Sequence, residues 1–307
     1  MKNVHCMTYR SGSKEEMLPN FSPDFPYIAS RNEIDRYMGG FVPWHWHKEV
    51  ELFYMESGVL EYYTPKGTVV FPAGTGGLVN SNILHMTRPK EGVKDTTQFL
   101  HIFDTSFIGG RQGSRIEQKY IAPLLLAPQA EIIALFPDFP EQARLLKILR
   151  DSFELSDKDF AYEVKLRAAL SDIWCGLFTL AAPLLKAKTG YDKANDKIKL
   201  MMVYIHEHYT EKISVSDIAS AGFISVRECF RVFQNCLHVT PAEYLKTYRL
   251  QNACQLLAGT PEPVTFIGQA CGLGSSSYFG KVFREFTGYT PLEYRRKWQD
   301  CDINWQS

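Results

Sequence analysis

The sequence lacks an excess of either charge: 34 lysines and arginines face 34 aspartates and glutamates, so the formal net charge is zero. A general attraction of the whole chain to polyanions is therefore excluded, and any nucleic-acid binding has to come from a local arrangement of cations. The seven cysteines contain no CxxC pair and are odd in number. We therefore expect structural thiols in a reducing compartment rather than a disulfide framework.

Long apolar segments are missing as well. The first ten residues, MKNVHCMTYR, hold no apolar stretch of the kind that a signal peptide needs. The longest apolar run, residues 173–185, contains Gly176 and Pro183 and is too short to span a bilayer. We therefore expect a cytoplasmic protein without a membrane partner, in which this run is buried or faces a second subunit.

The periodicity of the apolar residues changes partway along the chain. Over about 27–105, short β-branched and aromatic runs are separated by glycine and proline, which predicts the strands of a sandwich or small barrel. Over about 140–185, apolar residues recur every three or four positions, which predicts amphipathic helices. The segment after these helices is polar, and the remainder of the chain is again helical in pattern.

These changes predict a multidomain α+β protein. The N-terminal domain spans residues 1–185, with a barrel preceded by an arm (about 1–26) and followed by dimerisation helices. Residues 186–195 form a linker, and residues 196–307 form an all-α domain.

The helical domain contains an internal repeat, because residues 213–250 can be laid over residues 263–299. Matching residues lie 49 apart at first and 50 apart later, so the second copy carries one extra residue in its turn at 272–275. The matching pairs are Ile218 with Ile267, and Phe233, Thr240, Pro241 and Tyr244 with Phe283, Thr290, Pro291 and Tyr294.

Each copy predicts a short helix, a turn containing Gly222 or Gly272, and a second helix capped by Ser225 or Ser275. A third helix opens at Thr-Pro, with threonine as the cap and proline in the first turn. Helix, tight turn and helix is the arrangement whose second helix enters the DNA major groove. The alternative is an ordinary helical bundle with solvated polar faces.

The second helices each predict a core face and an opposite, exposed face. The predicted core residues are Cys229, Val232, Phe233 and Cys236 in the first copy and Phe279, Val282, Phe283 and Phe286 in the second. Arginine and lysine on the exposed face can donate to guanine, glutamine can pair with adenine, and serine accepts either. The predicted base-contacting residues are Arg227, Phe230, Arg231 and Gln234, then Ser276, Ser277, Lys281 and Arg284.

The last hundred residues resemble the AraC/XylS family of bacterial transcription regulators. The matching segments are YIHEHYTEKISVSDIA, FRVFQ, VTPAEYLKTYRLQNACQLL and SSSYFGKVFREFTGYTPLEYR. The resemblance implies two helix-turn-helix units on double-stranded DNA, joined by a linker helix at about 241–258, and it places the base-contacting face on the same eight residues. Three positions depart from the family pattern: His238, Gly268 and Cys229.

The charge of this domain is close to balanced, with 12 lysines and arginines against 11 acids in residues 196–307. Because affinity for DNA comes largely from phosphate contacts, we expect modest non-specific binding. We therefore expect a homodimer to supply the remaining affinity. If the protein is an activator, the resemblance also implies RNA polymerase as a partner.

The N-terminal half resembles the cupin β-barrel, a double-stranded β-helix. GGFVPWHWHKEVELFYMESG fits the first cupin signature with Gly39, His45, His47, Glu51 and Gly58. The second signature is met only in part: Gly74 and His85 stand at its ends, while Asn80 and Asn82 occupy its proline and glycine positions. Regulators of the AraC type that sense small molecules commonly carry such a barrel, so the two halves agree.

His45, His47 and Glu51 are all odd-numbered, so on an extended strand they point to one face, which in a barrel is the interior. His85 would reach them from another strand. Three imidazoles and a carboxylate suit a divalent first-row metal. They equally suit direct hydrogen bonds to a polyhydroxylated effector, on which Trp44, Trp46 or Tyr54 could stack. Purely structural histidines are a third alternative, and His101 is expected to pack inside the barrel.

These features predict a ligand-responsive regulator that binds specific DNA sequences and has no catalytic residue and no required cofactor. The effector is expected to be a sugar or a similar small polar metabolite. The predicted effector-binding residues are Trp44, His45, His47, Glu51, Tyr54 and His85, and the predicted metal ligands, if a metal is bound, are His45, His47, Glu51 and His85. A metal-dependent cupin enzyme or a metal sensor fused to a DNA-binding domain stays open, as does an architectural DNA binder.

Overall fold

The computed structural model describes residues 2–3, 16, 18, 21–22, 24–37, 39–111, 113–127, 129–186, 193–237 and 239–302. The described residues form two compact units, residues 2–186 and residues 193–302. Most of the predicted arm (about 1–26) and residues 187–192 of the predicted linker lie outside the described residues, as does His238.

The N-terminal unit consists of two β-sheets that pack face to face. The larger sheet has the strand order β1-β2-β9-β4-β7-β10, and the smaller has the order β3-β8-β5-β6. The strands are β1 (Lys2–Asn3), β2 (Tyr27–Glu33), β3 (Val42–His45), β4 (Val50–Ser57), β5 (Val59–Thr64), β6 (Gly67–Pro72), β7 (Gly76–Val79), β8 (His85–Pro89), β9 (Thr97–Phe103) and β10 (Ile132–Leu135). This two-sheet arrangement is cupin-like, as predicted.

Successive side chains of β4 belong to two different hydrophobic cores, one on each face of the larger sheet. Val50 and Leu52 belong to the core on the helix-covered side of the larger sheet. Phe53 and Met55 belong to the core between the two sheets, together with Leu60, Tyr62, Phe71 and Leu100. Because successive strand residues point to opposite faces, odd positions of β4 face the barrel interior and even positions face the helices.

Among the described residues of this unit, four α-helices follow β9: α1 (Ser106–Gly109), α2 (Ala122–Leu125), α3 (Pro140–Ser152) and α4 (Tyr162–Lys186). A π-helical segment, Glu117–Ile121, runs directly into α2. The two longer helices were predicted at about 140–185. Gly176 of α4 lets Leu145 of α3 approach closely, because a Cβ at that position would clash with the Leu145 side chain. Strand β10 pairs with β7 but lies beyond the predicted barrel range of about 27–105. It was not predicted because four residues are too few to show an alternation of apolar and polar side chains.

Helix α4 is the most apolar segment of the N-terminal unit. Among the described residues, Tyr162–Leu185 is the one stretch long and apolar enough to cross a membrane, with a mean hydropathy of 1.6. A core helix of a soluble protein passes the same test, so this is weak support for a span. One face of α4 is already packed in the helix-side core, through Leu166, Leu170, Ile173, Trp174, Leu177 and Ala181.

The C-terminal unit is helical throughout its described residues. Its helices are α5 (Lys193–His208), α6 (Val215–Ala221), α7 (Val226–Leu237), α8 (Pro241–Gly259), α9 (Val264–Ala270), α10 (Ser276–Thr287) and α11 (Pro291–Asp302). The pairs α6–α7 and α9–α10 are the two copies of the repeat. Helix α8 connects them, as the resemblance implied for the linker helix.

The predicted caps are confirmed. Ser225 and Ser275 accept hydrogen bonds from the backbone amides of Glu228 and Tyr278, at the starts of α7 and α10. Thr240 and Glu243 form a reciprocal capping box at the start of α8, and Thr290 does the same with Glu293 at the start of α11. Such boxes satisfy amides that have no partner inside the helix, and each fixes where its helix begins.

The two turns differ by one residue, which confirms the predicted insertion. Four residues, 222–225, separate α6 from α7, whereas five residues, 271–275, separate α9 from α10. The second turn has two left-handed residues, Gly272 and Gly274, with φ of 67° and 71°, and the position that matches Gly272 in the first turn is Phe223, with φ of 54°. Gly222 has an ordinary φ of −85° and ends α6, so the first turn does not use its glycine for the left-handed position.

Candidate functional site

The three histidines of the cupin-like signature and Glu51 meet inside the barrel. His45 ends β3 and His85 begins β8, and the two are directly opposite one another in the antiparallel pairing of these strands. Their ring centroids lie 4.0 Å apart. His47 follows in the connection to β4, and Glu51 is the second residue of β4. Three strands and a connection therefore bring the four side chains together, whereas one extended strand was predicted for His45, His47 and Glu51, with His85 reaching them from another strand.

The cluster formed by His45, His47, Glu51 and His85, here called the histidine cluster, is small and closed. The Nε2 atoms of His47 and His85 lie 3.6 and 3.7 Å from Oε2 of Glu51. One potential ligand atom from each of the four residues can be chosen so that all lie within 4.8 Å of one another. Each residue is at most 4% exposed. The four groups are therefore held at separations suited to a shared ligand.

Backbone carbonyls fix the orientation of each imidazole in the histidine cluster. The Nδ1 atoms of His45, His47 and His85 lie 2.8, 2.9 and 2.9 Å from the carbonyl oxygens of Pro43, Glu49 and Ile83. A carbonyl oxygen only accepts, so each Nδ1 carries the hydrogen that it donates. In a neutral ring the lone pair then resides on Nε2, and the structure turns the Nε2 atoms of His47 and His85 toward Glu51.

The charges in the cluster are strongly coupled. Burial alone would raise the pKa of Glu51, but the neighbouring His47 and His85 hold it well below its usual range. Burial would lower the pKa of His47, yet Glu51 raises it to about 9. Burial, together with His85 and His47, keeps the pKa of His45 well below its usual value. The site therefore holds an ionised carboxylate among imidazoles that it polarises.

Two groups beside the cluster had no signal in the sequence. Tyr62, from β5, donates its hydroxyl hydrogen toward Oε1 of Glu51 at 3.0 Å and Oε1 of Gln98 at 2.8 Å. The backbone amide of Glu16 donates to the carbonyl of Trp46 at 2.9 Å, and burial raises the pKa of the Glu16 carboxyl to about 7. Tyr62 looks like an ordinary strand residue, and Glu16 lies outside any periodic segment, so only the fold reveals them.

Two predicted positions need correction. Tyr54, an even-numbered residue of β4, packs against the helix-side core, on the face opposite Glu51. Trp44 is buried on β3 directly before His45, and its contact with an effector stays a prediction. His101 does not pack inside the barrel: its ring stacks on Phe153, which belongs to the helix-side core.

The barrel interior also contains buried polar side chains on the strands next to Gln98 and Tyr62. Asn32 pairs in register with Gln98 between β2 and β9, and Thr87 pairs with Tyr62 between β8 and β5. Among the described residues, Oδ1 of Asn32 and Oγ1 of Thr87 are buried without a hydrogen-bond partner. An unpaired buried polar atom costs about 1–3 kcal/mol, so such atoms mark places where a polar ligand or water is accommodated.

The eight predicted base-contacting residues occupy two exposed helix faces. Arg227, Phe230, Arg231 and Gln234 are exposed on α7, and Ser276, Ser277, Lys281 and Arg284 are exposed on α10. The opposite faces are packed as predicted, with Phe233 and Phe283 fully buried, except that Phe286 is only half-buried. On α7, Arg231 forms an ion pair with Glu228 one turn earlier, at 2.7 Å. Tyr278 on α10 and Phe223 in the first turn are also exposed, at 50% and 87%, and were not predicted.

Comparison with known proteins gives matches in both units. The model of an AraC-like ligand binding domain matches residues 29–171. The model of a helix-turn-helix domain matches residues 218–297. These two matches fall in the N-terminal and C-terminal units respectively.

Relatives match over most of the chain. The chain is 34% identical over 255 residues to the uncharacterised helix-turn-helix transcriptional regulator YisR of Bacillus subtilis, covering 80% of this chain and 85% of that protein. It is 27% identical over 283 residues to YdeC of the same organism, covering 92% and 96%. Among solved structures it is similar to ToxT from Vibrio cholerae, with 13% identity, a TM-score of 0.43, and 88% and 97% of the two chains covered.

Proposed function

The chain belongs to the AraC family of ligand-responsive transcription regulators, and from that premise we propose that α7 and α10 bind two successive major-groove segments of an operator in response to a small polar effector. The observation that carries the DNA-binding half is the repeat itself. Both copies bury the same helix face and cap their second helices in the same way, yet leave different polar side chains exposed on the opposite face. Constant cores with divergent exposed faces suit two modules that contact different bases.

The proposed base contacts follow from the exposed chemistry. Arg227 and Arg231 on α7, and Lys281 and Arg284 on α10, are suited to guanine O6 and N7 or to phosphate. Phe230 is 42% exposed and offers an apolar contact to a thymine methyl group. The serines at the start of α10 are small enough to let its backbone approach the groove closely.

For the effector we propose a sugar or a similar polyhydroxylated metabolite in the N-terminal unit. The unpaired oxygens of Asn32 and Thr87 support this proposal, because hydroxyl groups donate to such acceptors. Regulators with this pairing of domains bind their signal in the first unit and DNA with the second, so we propose sensing rather than catalysis. Relatives of the chain are named as transcriptional regulators, which favours the same choice.

We propose that effector binding shifts a population of arrangements in a cytoplasmic homodimer, and so changes how two C-terminal units are presented to DNA. The exposed apolar side chains of α4, including Val164 and Leu184 at 69% and 38% exposure, support a subunit contact on that helix. If the protein activates transcription, RNA polymerase is the further partner.

The first test selects bound fragments from a random DNA library with the full chain, and then measures affinity and footprint on the selected site. Replacing Arg231 or Arg284 by alanine is expected to weaken specific binding by about 1–3 kcal/mol, roughly 5- to 150-fold, because each loses a base or phosphate contact. Arg144→Ala is the matched control, since Arg144 is an exposed arginine on α3 of the N-terminal unit. For a dimer, the footprint should contain two copies of the site.

An unchanged footprint and affinity in both arginine variants would refute the assignment of these helix faces. Selection of no preferred sequence would favour an architectural DNA binder, in which the barrel serves only to assemble the protein. A single-copy footprint from a chain that is monomeric at micromolar concentration would contradict the homodimer.

A further inference from the structure

We propose that His45, His47, Glu51 and His85 bind one divalent first-row transition-metal ion inside the barrel. This proposal deepens the ligand-binding role proposed for the N-terminal unit. It assigns the histidine cluster to a metal ion rather than to direct contact with a polyhydroxylated molecule, and it rests on three features of the cluster.

The first feature is that the Nε2 atoms of the imidazoles are available to bind a ligand. Each imidazole uses Nδ1 as a donor to a backbone carbonyl, which leaves Nε2 as the acceptor of a neutral ring. Among the described residues, the Nε2 atoms of His47 and His85 are buried without a hydrogen-bond partner. Metal-binding histidines show this arrangement, in which the second nitrogen is tied to a carbonyl and the first is presented to the ion.

The second feature is size. Ligand atoms at 2.0–2.2 Å from one ion are at most about 4.4 Å apart, so the four ligand atoms of the cluster, which lie within 4.8 Å of one another, would have to move inward by about 0.4 Å at the widest separation to share one ion. A sugar ring does not fit among groups this close, and the rings of His45 and His85 are only 4.0 Å apart. The space between the four groups therefore suits a single ion.

The third feature is charge. The Nε2 atoms of His47 and His85 lie 3.6 and 3.7 Å from Oε2 of Glu51, a distance too long for a good hydrogen bond. A divalent ion between these groups would be coordinated by the carboxylate and by the imidazoles in their neutral form, and its charge would balance that of the buried carboxylate. Three imidazole nitrogens and one carboxylate oxygen are the donor set preferred by Mn²⁺, Fe²⁺, Co²⁺, Ni²⁺ and Zn²⁺, and they leave coordination positions free for a further ligand.

The test measures metal content and affinity in the full chain, with any affinity tag removed. The protein is stripped with a chelator, loaded separately with Mn²⁺, Fe²⁺, Co²⁺, Ni²⁺ or Zn²⁺, desalted, and analysed by elemental mass spectrometry and calorimetry. We expect about one ion per chain for at least one of these metals. Glu51→Gln and His47→Gln should each weaken binding by at least about tenfold, since each removes one ligand.

Glu51→Gln preserves the shape of the side chain and the hydrogen bond from Tyr62, so it tests the ligand without emptying the site. His208→Gln is the control: His208 lies at the surface of α5 beside Glu211, far along the chain from the cluster, and its variant should bind metal as the parent does. Far-ultraviolet circular dichroism on the metal-free variants verifies that each is folded.

A parent chain with less than about 0.1 ion per chain after loading with every metal would overturn the proposal, whatever the variants do. Undiminished binding in both folded ligand variants would also overturn it, because the ion would then be bound elsewhere. Metal content is measured without DNA. A chain that binds no metal but selects DNA normally would therefore refute the metal site and support the proposed regulator. A chain that binds metal but selects no DNA sequence would support the metal site and refute the proposed regulator.

Discussion

His101 and the histidine cluster present the same residue type in two environments of one unit. Glu51 and Leu52 are neighbours on β4, and His101 is paired in register with Leu52, so His101 lies on the face of the sheet opposite Glu51. Both environments are buried, with His101 at 0% and His85 at 1% exposure. They differ in what the second ring nitrogen contacts.

Both nitrogens of His101 are satisfied by protein groups. Its Nδ1 accepts from the Tyr27 hydroxyl at 2.6 Å, and its Nε2 donates to Oγ of Ser152 at 2.8 Å. The Ser152 hydroxyl in turn donates to the carbonyl of Leu149 at 2.6 Å, which fixes the hydrogen of His101 on Nε2. The ring also stacks on Phe153 with centroids 3.8 Å apart. Burial alone therefore does not distinguish the two environments; they differ in whether the second ring nitrogen has a hydrogen-bond partner.

The largest expected effect is a loss of stability on replacing His101, because both of its ring nitrogens are hydrogen-bonded to protein groups. His101→Ala should reduce the free energy of unfolding of the N-terminal unit by about 3–5 kcal/mol, because it removes the stacked ring and the buried hydrogen bonds with Tyr27 and Ser152. Chemical denaturation measures this loss. A reduction below about 1 kcal/mol would show that the two environments are energetically alike.

A smaller effect is expected for the matched change in the cluster. In chelator-treated protein, His85→Ala should reduce the free energy of unfolding by about 2 kcal/mol, since it opens a similar cavity but breaks only the bond to Ile83 and removes an acceptor that faces Glu51. The same denaturation experiment applies. If His85→Ala proved as destabilising as His101→Ala without metal, the cluster would be a structural network. The histidine cluster and the surroundings of His101 would then not differ in kind.

The smallest expected effect is a pH dependence that belongs to His101. Burial lowers the pKa of His101 to about 3, whereas the unfolded chain has the ordinary value near 6.5. As the pH falls below 6.5, His101 becomes protonated in the unfolded state but not in the folded state. The free energy of unfolding therefore decreases. Between about pH 7.5 and about pH 5.5 the loss should be about 1.4 kcal/mol.

This loss is read as the difference in unfolding free energy between the parent chain and His101→Gln, measured by denaturation at both pH values. Glutamine does not titrate, so the acids common to both proteins cancel in the difference. A difference that stays constant across this range would show that His101 accepts a proton in the folded state.

The sequence predicted the C-terminal unit in detail because its signals are local. Serine and threonine caps, proline after a cap, and apolar residues every three or four positions each act within one or two helical turns. The helix starts after Ser225, Thr240, Ser275 and Thr290 therefore lie where the caps place them. The insertion in the second turn also followed from counting residues between matching positions.

The N-terminal unit was predicted less completely because its site depends on pairing between distant strands. The signature placed His45, His47 and Glu51 near one another, but the contribution of His85 depends on the register of β3 with β8. Tyr54 was wrongly placed because its residue type suggested stacking, whereas strand alternation decided its face. Whether a buried imidazole keeps a free nitrogen depends on its tertiary partners, and no sequence pattern records those.

The left-handed Phe223 has a consequence for the order in which the two helix-turn-helix units open. A non-glycine residue in that region carries about 1 kcal/mol of strain, and the Phe223 ring, 87% exposed, recovers little of it by packing. Gly272 occupies the same position in the second copy without strain. The least stable part of a structure unfolds locally first, so we expect the first turn to be the weaker hinge of the repeat and α7 to detach from its own unit more readily than α10.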